Sequence, residues 1–222
     1  TNKIAAKEEK IEKLSRKGTQ FFDELESEVD SFANLRSQLQ ESGIENALDF
    51  VSDWVYTTDN DPEVEPGSIE SKGGRYKVTV NKNSNMTAAY VTETARHEVG
   101  HAVDMALHGG IYSAQPEMAI GLKDGKVTAV GKVAKEMYNL FKTVEHWGEY
   151  LDYPFEIKAH PNLDTHVKIE SELFAQMFAA YTNPKGKALM QQEAPISAAY
   201  MEEVINDIRS TKALQIQTEK TS

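Results

Sequence analysis

The sequence predicts a mostly helical α+β fold, and three observations carry that prediction. Apolar residues recur at helical spacing over most of the chain. One segment, "GRYKVTVNKN" (74–83), alternates with period two instead. Gly- and Pro-containing stops punctuate the helical stretches, as at "HGG" (108–110) and "TNP" (182–184).

The elements follow in order. Residues 3–41 hold no Pro and a single Gly. Ile4, Ile11, Leu25, Phe32 and Leu39 fall on a seven-residue grid, and Leu14, Phe21 and Leu35 sit three places after members of it. Lys7, Gly18 and Glu28 interrupt this a/d pattern, which predicts a long helix or a helical hairpin. The pattern admits self-association through residues 3–41, but packing onto the chain's own domain is the better expectation. "SGIENALDFVSDWVYT" (42–57) reads as a further helix capped at Ser42. Residues 1–57 are thus expected to form an N-terminal helical segment, and 58–222 the main domain.

"TDNDPEVEPGSIESKGG" (58–74) is acidic and rich in Pro and Gly, and reads as a surface loop. In the strand that follows, Tyr76, Val78 and Val80 alternate with Lys77, Thr79 and Asn81. A helix is expected from about Ala88 to Leu107. Residues 110–131 read as mixed loop with a short hairpin turning at Asp124-Gly125. Residues 132–147 are expected to be helical, with Val133, Met137, Leu140, Phe141 and Val144 on one face. An aromatic, Pro-containing loop over 148–167 leads to a helix at 168–182. A last helix spans 195–212 before a polar, frayed tail.

Composition removes several classes of function. Lys+Arg is 24 and Asp+Glu 35, a net charge of −11. Such a surface repels nucleic-acid backbones and anionic lipid, so neither is expected as a partner. The absence of Cys removes disulfides, cysteine zinc sites and thiol nucleophiles. No apolar run reaches the roughly 18 residues of a membrane span. The chain is expected to be soluble, and its opening on Thr fits a piece processed from something longer, secreted or otherwise released.

The chemistry concentrates in "ARHEVGHAVDMALHGG" (95–110). On a helix, residues four apart stand about 40° apart in azimuth and about 6 Å along the axis. His97 and His101 can therefore bring two imidazole nitrogens to one Zn²⁺ at about 2 Å each. Glu98 is rotated by about 100° and cannot be a third ligand, but it can reach a water on the metal as general base. Gly100, a poor helix former, suggests close approach by another backbone or a ligand. Asp104 is spaced to accept the far N–H of a ligand histidine.

The third ligand must come from elsewhere. The position ten residues after His97, where a metzincin has its ligand, is Leu107. His146, Glu149, His160, His166, Glu170 and Glu172 remain as candidates. "IESELFAQMFAAY" (169–181) is the best helix to supply a carboxylate, since Leu173, Phe174, Met177, Phe178 and Tyr181 give it an apolar face. At most one of Glu170 and Glu172 can face the metal.

"HEVGHAVD" (97–104) and "ESELFAQMFAAY" (170–181) together resemble the anthrax lethal factor-like zinc metallopeptidases, which include the Pro-Pro endopeptidases. The resemblance implies a zincin-like metallopeptidase domain with one Zn²⁺ on His97, His101 and Glu172. It also implies Glu98 as base and a polypeptide as substrate. Gln176 stands where the family usually has Glu, beside the site. The family's oxyanion-stabilising Tyr falls at Thr165 here; His166 is the preferred stand-in, with Tyr150, Tyr153 and His160 as further donors. Enzymes of this type hold an extended substrate against an edge strand, for which residues 76–80 are the expected segment. The N-terminal segment is not explained by the resemblance. It keeps a second reading open, that of a structural or interaction module of a phage- or toxin-type assembly whose zinc site is degenerate or purely stabilising. Another metallohydrolase, such as an amidase, would use the same ligands.

Overall fold

The computed structural model describes residues 31–58, 66–72, 75–82, 86–108, 112–123, 126–156 and 165–221. The heptad-like expectation for 3–30 lies outside these residues. Helix α1 (Ser31–Glu41) is its one described continuation, and Leu35 and Leu39 are buried in the chain's own core.

The segment 42–57 is not a single helix. A 3-10 helix covers Glu45–Phe50, and β1 (Asp53–Thr58) follows. Trp54, Val55 and Tyr56 are aromatic and β-branched, types that fit a pleated surface better than a helix. The expected boundary at 57 falls inside β1. The segment read as a loop also contains a strand, β2 (Gly67–Lys72), which runs into β3 (Arg75–Lys82) as an antiparallel hairpin with Lys72 opposite Arg75. β1 pairs with β3 in parallel, Asp53 opposite Lys77, so the sheet order is β1-β3-β2. β3 is therefore the central strand. The edge beside the candidate helix belongs to β2, which corrects the expectation for residues 76–80.

Helix α2 (Ala88–His108) lies across this sheet and against α1. Val91, Ala95, Val99, Ala102 and Val103 are buried along it, and Val78 and Val80 meet it from β3. The Tyr76 hydroxyl donates to the Met105 carbonyl and ties β3 to the last turns of α2. Arg96 is fully buried, with Glu93 Oε2 at 3.4 Å, and donates to Gln38 Oε1 on α1.

The expected short hairpin is present as the antiparallel pair β4 (Ile120–Lys123) and β5 (Lys126–Ala129), with Lys123 opposite Lys126; its turn at 124–125 lies outside the described residues. The next helix ends earlier than the sequence suggested. α3 (Lys132–Thr143) is followed after Val144 by α4 (Glu145–Tyr150), which straddles the expected helix end at 147, and by α5 (Asp152–Glu156), inside the expected aromatic loop. α6 (Thr165–Thr182) is nearly all buried from Leu173 onward, as befits a central helix. α7 (Pro184–Glu193) was not foreseen, although its start is written in the sequence. The Asn183 side chain accepts the Lys185 and Gly186 N–H groups, and Pro184 occupies the first turn. α8 (Pro195–Thr221) extends through the tail expected to fray. The described residues thus form a mostly helical α+β structure with two small sheets. None of its helices is long and apolar enough to cross a membrane.

Candidate metal centre

The site forms where α2 crosses α6, and glycine makes the crossing close. A Cβ on Gly100 would stand 3.0 Å from the Ala175 Cα and 3.1 Å from the Phe178 Cβ. A side chain here would press the neighbouring backbone away by a few tenths of an ångström, so glycine favours the close approach. Glu172 lies one turn before Ala175 and Phe178 two turns after Glu172, so the same contact brings Glu172 level with His97 and His101.

His97 Nε2 lies 3.1 Å from His101 Nε2 and 3.1 Å from Glu172 Oε2, and His101 Nε2 lies 3.4 Å from that same oxygen. Three atoms bound at about 2 Å to one tetrahedral ion stand about 3.3 Å apart, so this triangle has the edge lengths of a metal site. It is the one group of this kind among the described residues. Two imidazoles and a carboxylate suit zinc better than calcium or magnesium, which take oxygen ligands. The side chains of His97, His101 and Glu172 keep 16%, 10% and 11% of their surface exposed, so the group is largely but not wholly shielded from solvent.

The imidazoles are held from behind. Gln176 donates from Nε2 to the Tyr150 carbonyl at 3.0 Å, which can only accept. Its Oε1 is therefore the atom turned to His97 Nδ1, at 3.0 Å. When the ring is neutral, as a metal ligand must be, His97 then keeps its proton on Nδ1 and turns the Nε2 lone pair into the triangle. Ser171 Oγ stands 3.1 Å from His101 Nδ1 and can accept its N–H in the same way. Sequence reasoning placed Gln176 beside the site and missed Ser171. The signal was available, since Ser171 adjoins Glu172 on a helix already paired with the histidines.

Asp104 does not fill the role expected from its spacing. Its Oδ1 accepts the Ser113 N–H at 2.9 Å, in the turn beyond α2. Helical side chains lean toward the N-terminus of their own helix, but the loop over 112–114 offers Asp104 an N–H, and Gln176 and Ser171 already engage the two imidazole Nδ1 atoms. The other candidate ligands are engaged elsewhere. Glu170 Oε1 accepts the Ile120 N–H at 2.7 Å, and His146 meets Glu193 at 2.9 Å. Glu149 is half-buried on α4 and belongs to no metal-holding group among the described residues.

Among the oxyanion donors, the Tyr150 hydroxyl turns to Glu93 Oε1 at 2.8 Å and to the Gln176 carbonyl at 3.2 Å. It braces the scaffold behind His97. Tyr153 is half-buried on α5. His166 falls in the first turn of α6, but its side chain, like His160 and the Leu107 side chain, lies outside the described residues.

Electrostatics match a cation site. Burial disfavours a charge on His97, yet the Glu172 hydrogen bond and charge outweigh it and hold the imidazolium up at about 9. Burial likewise opposes charge on Glu172, but hydrogen bonds from His101 and His97 hold its carboxyl well below the usual range. Glu98 is 6% exposed and near enough to add to the field at His97. No family model matches the chain, and neither the curated proteins nor the solved structures contain a match.

Proposed function

We propose that the protein is a zinc-dependent endopeptidase of zincin-like type, similar to the anthrax lethal factor-like peptidases. One observation carries the proposal: His97, His101 and Glu172, up to 75 positions apart in sequence, form a triangle of tetrahedral dimensions, and Glu98 is close enough to add its charge to the field at His97. The donor set fits zinc, with both Nδ1 atoms engaged and both Nε2 atoms turned inward.

In this reading His97, His101 and Glu172 hold the ion. Zinc, when bound, supplies a Lewis acid that polarises the scissile carbonyl and lowers the pKa of water to about 7. Glu98 accepts a proton from the attacking water as its oxygen bonds to the carbonyl carbon. It then delivers that proton to the amine as the C–N bond breaks. The outer edge of β2 offers backbone groups to an extended polypeptide, the role expected for residues 76–80 passing to the strand at the sheet's edge. His166 remains the proposed donor to the developing oxyanion.

Elemental analysis of the purified protein should find one zinc per chain. Glu98→Gln should retain that zinc and lose about 10²- to 10⁴-fold in peptide hydrolysis. Full cleavage by Glu98→Gln, or protein with no affinity for zinc, would sink the proposal.

A further inference from the structure

Glycine 67 opens β2 directly above the carboxylate of Glu98. A Cβ at this position would stand 2.7 Å from Glu98 Oε1, 3.1 Å from Glu98 Cγ and 2.5 Å from Thr94 Cγ2. Glycine is required either where φ is positive or where something must approach closely. The first reason does not apply, because Gly43 is the positive-φ glycine among the described residues. Space is therefore the reason, and the groups that occupy it are Thr94 and Glu98, one turn apart on the face of α2 turned toward the strand.

We infer that Gly67 is a positioning residue for Glu98: the bare backbone at the start of β2 is the surface that fixes where the carboxylate sits. This rests on Glu98 acting as the base. A glycine can serve as such a surface only if its own backbone is held. Here the Asn81 N–H donates to the Pro66 carbonyl at 2.8 Å, and Gly67 faces Val80 in the ladder. Pro66 has a fixed φ, so the chain enters the contact already restricted. Glu98 has three side-chain torsions, and a base must be placed to a fraction of an ångström to be effective. The strand proposed to receive substrate thus also sets the base, so the two are in register by construction. A methyl group at 67 forces the Glu98 carboxylate to another rotamer while leaving His97, His101 and Glu172 untouched.

Gly67→Ala tests this, since alanine is compatible with the strand backbone. Zinc content should match wild type, KM should change little, and kcat should fall by about 10- to 100-fold, the cost of about 1 Å of misplacement. Gly67→Ala combined with Thr94→Ser removes the nearest methyl; stability should recover and kcat should not. Glu98→Asp shortens the side chain, so adding Gly67→Ala to it should cost no further activity. A readout independent of turnover is the visible spectrum of the cobalt(II)-substituted protein. In Gly67→Ala it should shift from wild type toward that of Glu98→Gln, and a crystal structure of the zinc-loaded variant should show Glu98 in a different rotamer. Wild-type kcat with a wild-type cobalt spectrum overturns the inference, as does full recovery by Thr94→Ser. If wild-type protein binds zinc yet cleaves nothing, the peptidase reading fails, and the cobalt spectrum still decides whether Gly67 sets Glu98.

Discussion

Each histidine of the triangle has two ring nitrogens, and the group behind Nδ1 decides which one is free for a metal. Gln176 and Ser171 supply that group for His97 and His101, and both are neutral. A neutral partner that accepts from Nδ1 leaves Nε2 free without adding charge, so orientation is the main thing lost when it is removed. Ser171→Ala and Gln176→Leu are each expected to weaken zinc binding by about 10- to 100-fold. Gln176→Leu should be the more severe, because it also leaves the Tyr150 carbonyl without its donor at 3.0 Å. Competition against a chelator of known affinity measures both; wild-type affinity in both variants would refute the assignment. At this scale the sequence was informative wherever spacing alone fixes direction. His97, Glu98 and His101 are local, and one helix places them. Asp104 shows the limit, because helical spacing gives a direction but cannot announce that the turn at Ser113 will bring a competing N–H. Ser171 shows the converse, a side chain whose role depends on how far one helix is rotated against another.

Between elements, the distance from α2 to α6 decides whether a metal site exists at all. Gly100 sets that distance, so enlarging it should separate the ligands before it unfolds the protein. Gly100→Leu is expected to cost about 1–3 kcal/mol of stability through overpacking and to reduce zinc affinity more than either Nδ1 variant does. Gly100→Ala is the milder test. Its Cβ presses on the Ala175 backbone at 3.0 Å, while about 1 kcal/mol of helix propensity offsets the strain. Thermal unfolding and zinc titration of the pair check this, and zinc bound normally by Gly100→Leu would rule it out. The elements were unequally legible. α2, β3 and the β4–β5 hairpin announced themselves through periodicity or a turn dipeptide. β2 did not, because "GSIESK" carries one apolar residue, and an edge strand open to solvent needs no more. β1 was hidden by an apolar run that begins as a 3-10 helix and changes period at Val51. α7 shows the opposite case, an Asn-Pro start that states its cap plainly while its face is only weakly apolar.

Across the whole molecule, the triangle couples folding to pH and, on the proposed reading, to zinc. In the folded, metal-free protein His97 holds its proton up to about 9, against an ordinary value of 6.5. Its contribution is fully present below about 6.5 and is lost as pH rises toward 9, because over that range the folded state holds a proton the unfolded chain has released. The difference corresponds to on the order of 3 kcal/mol. Glu172 acts with the opposite sign at the acid end, its depressed carboxyl stabilising the fold above the ordinary carboxylate range and ceasing to do so as pH falls well below it. The metal-free protein should therefore lose thermal stability steadily between pH 7 and 9, and Glu172→Gln, which removes the charge that holds the proton, should flatten the curve. Zinc changes the balance, because its ligand must be the neutral imidazole. A zinc-saturated folded state has no proton on His97, and neither does the unfolded chain above about 6.5, so stability at fixed free zinc should be nearly level across the same window. The gap between the two curves, which is the stabilisation zinc provides, should then widen by about 1.4 kcal/mol for each pH unit. Calorimetric scans from pH 7 to 9, with free zinc held by a buffered chelator, measure both curves. Metal-free protein whose stability does not change over that range would mean that His97 and Glu172 are not coupled as the 3.1 Å contact between them requires.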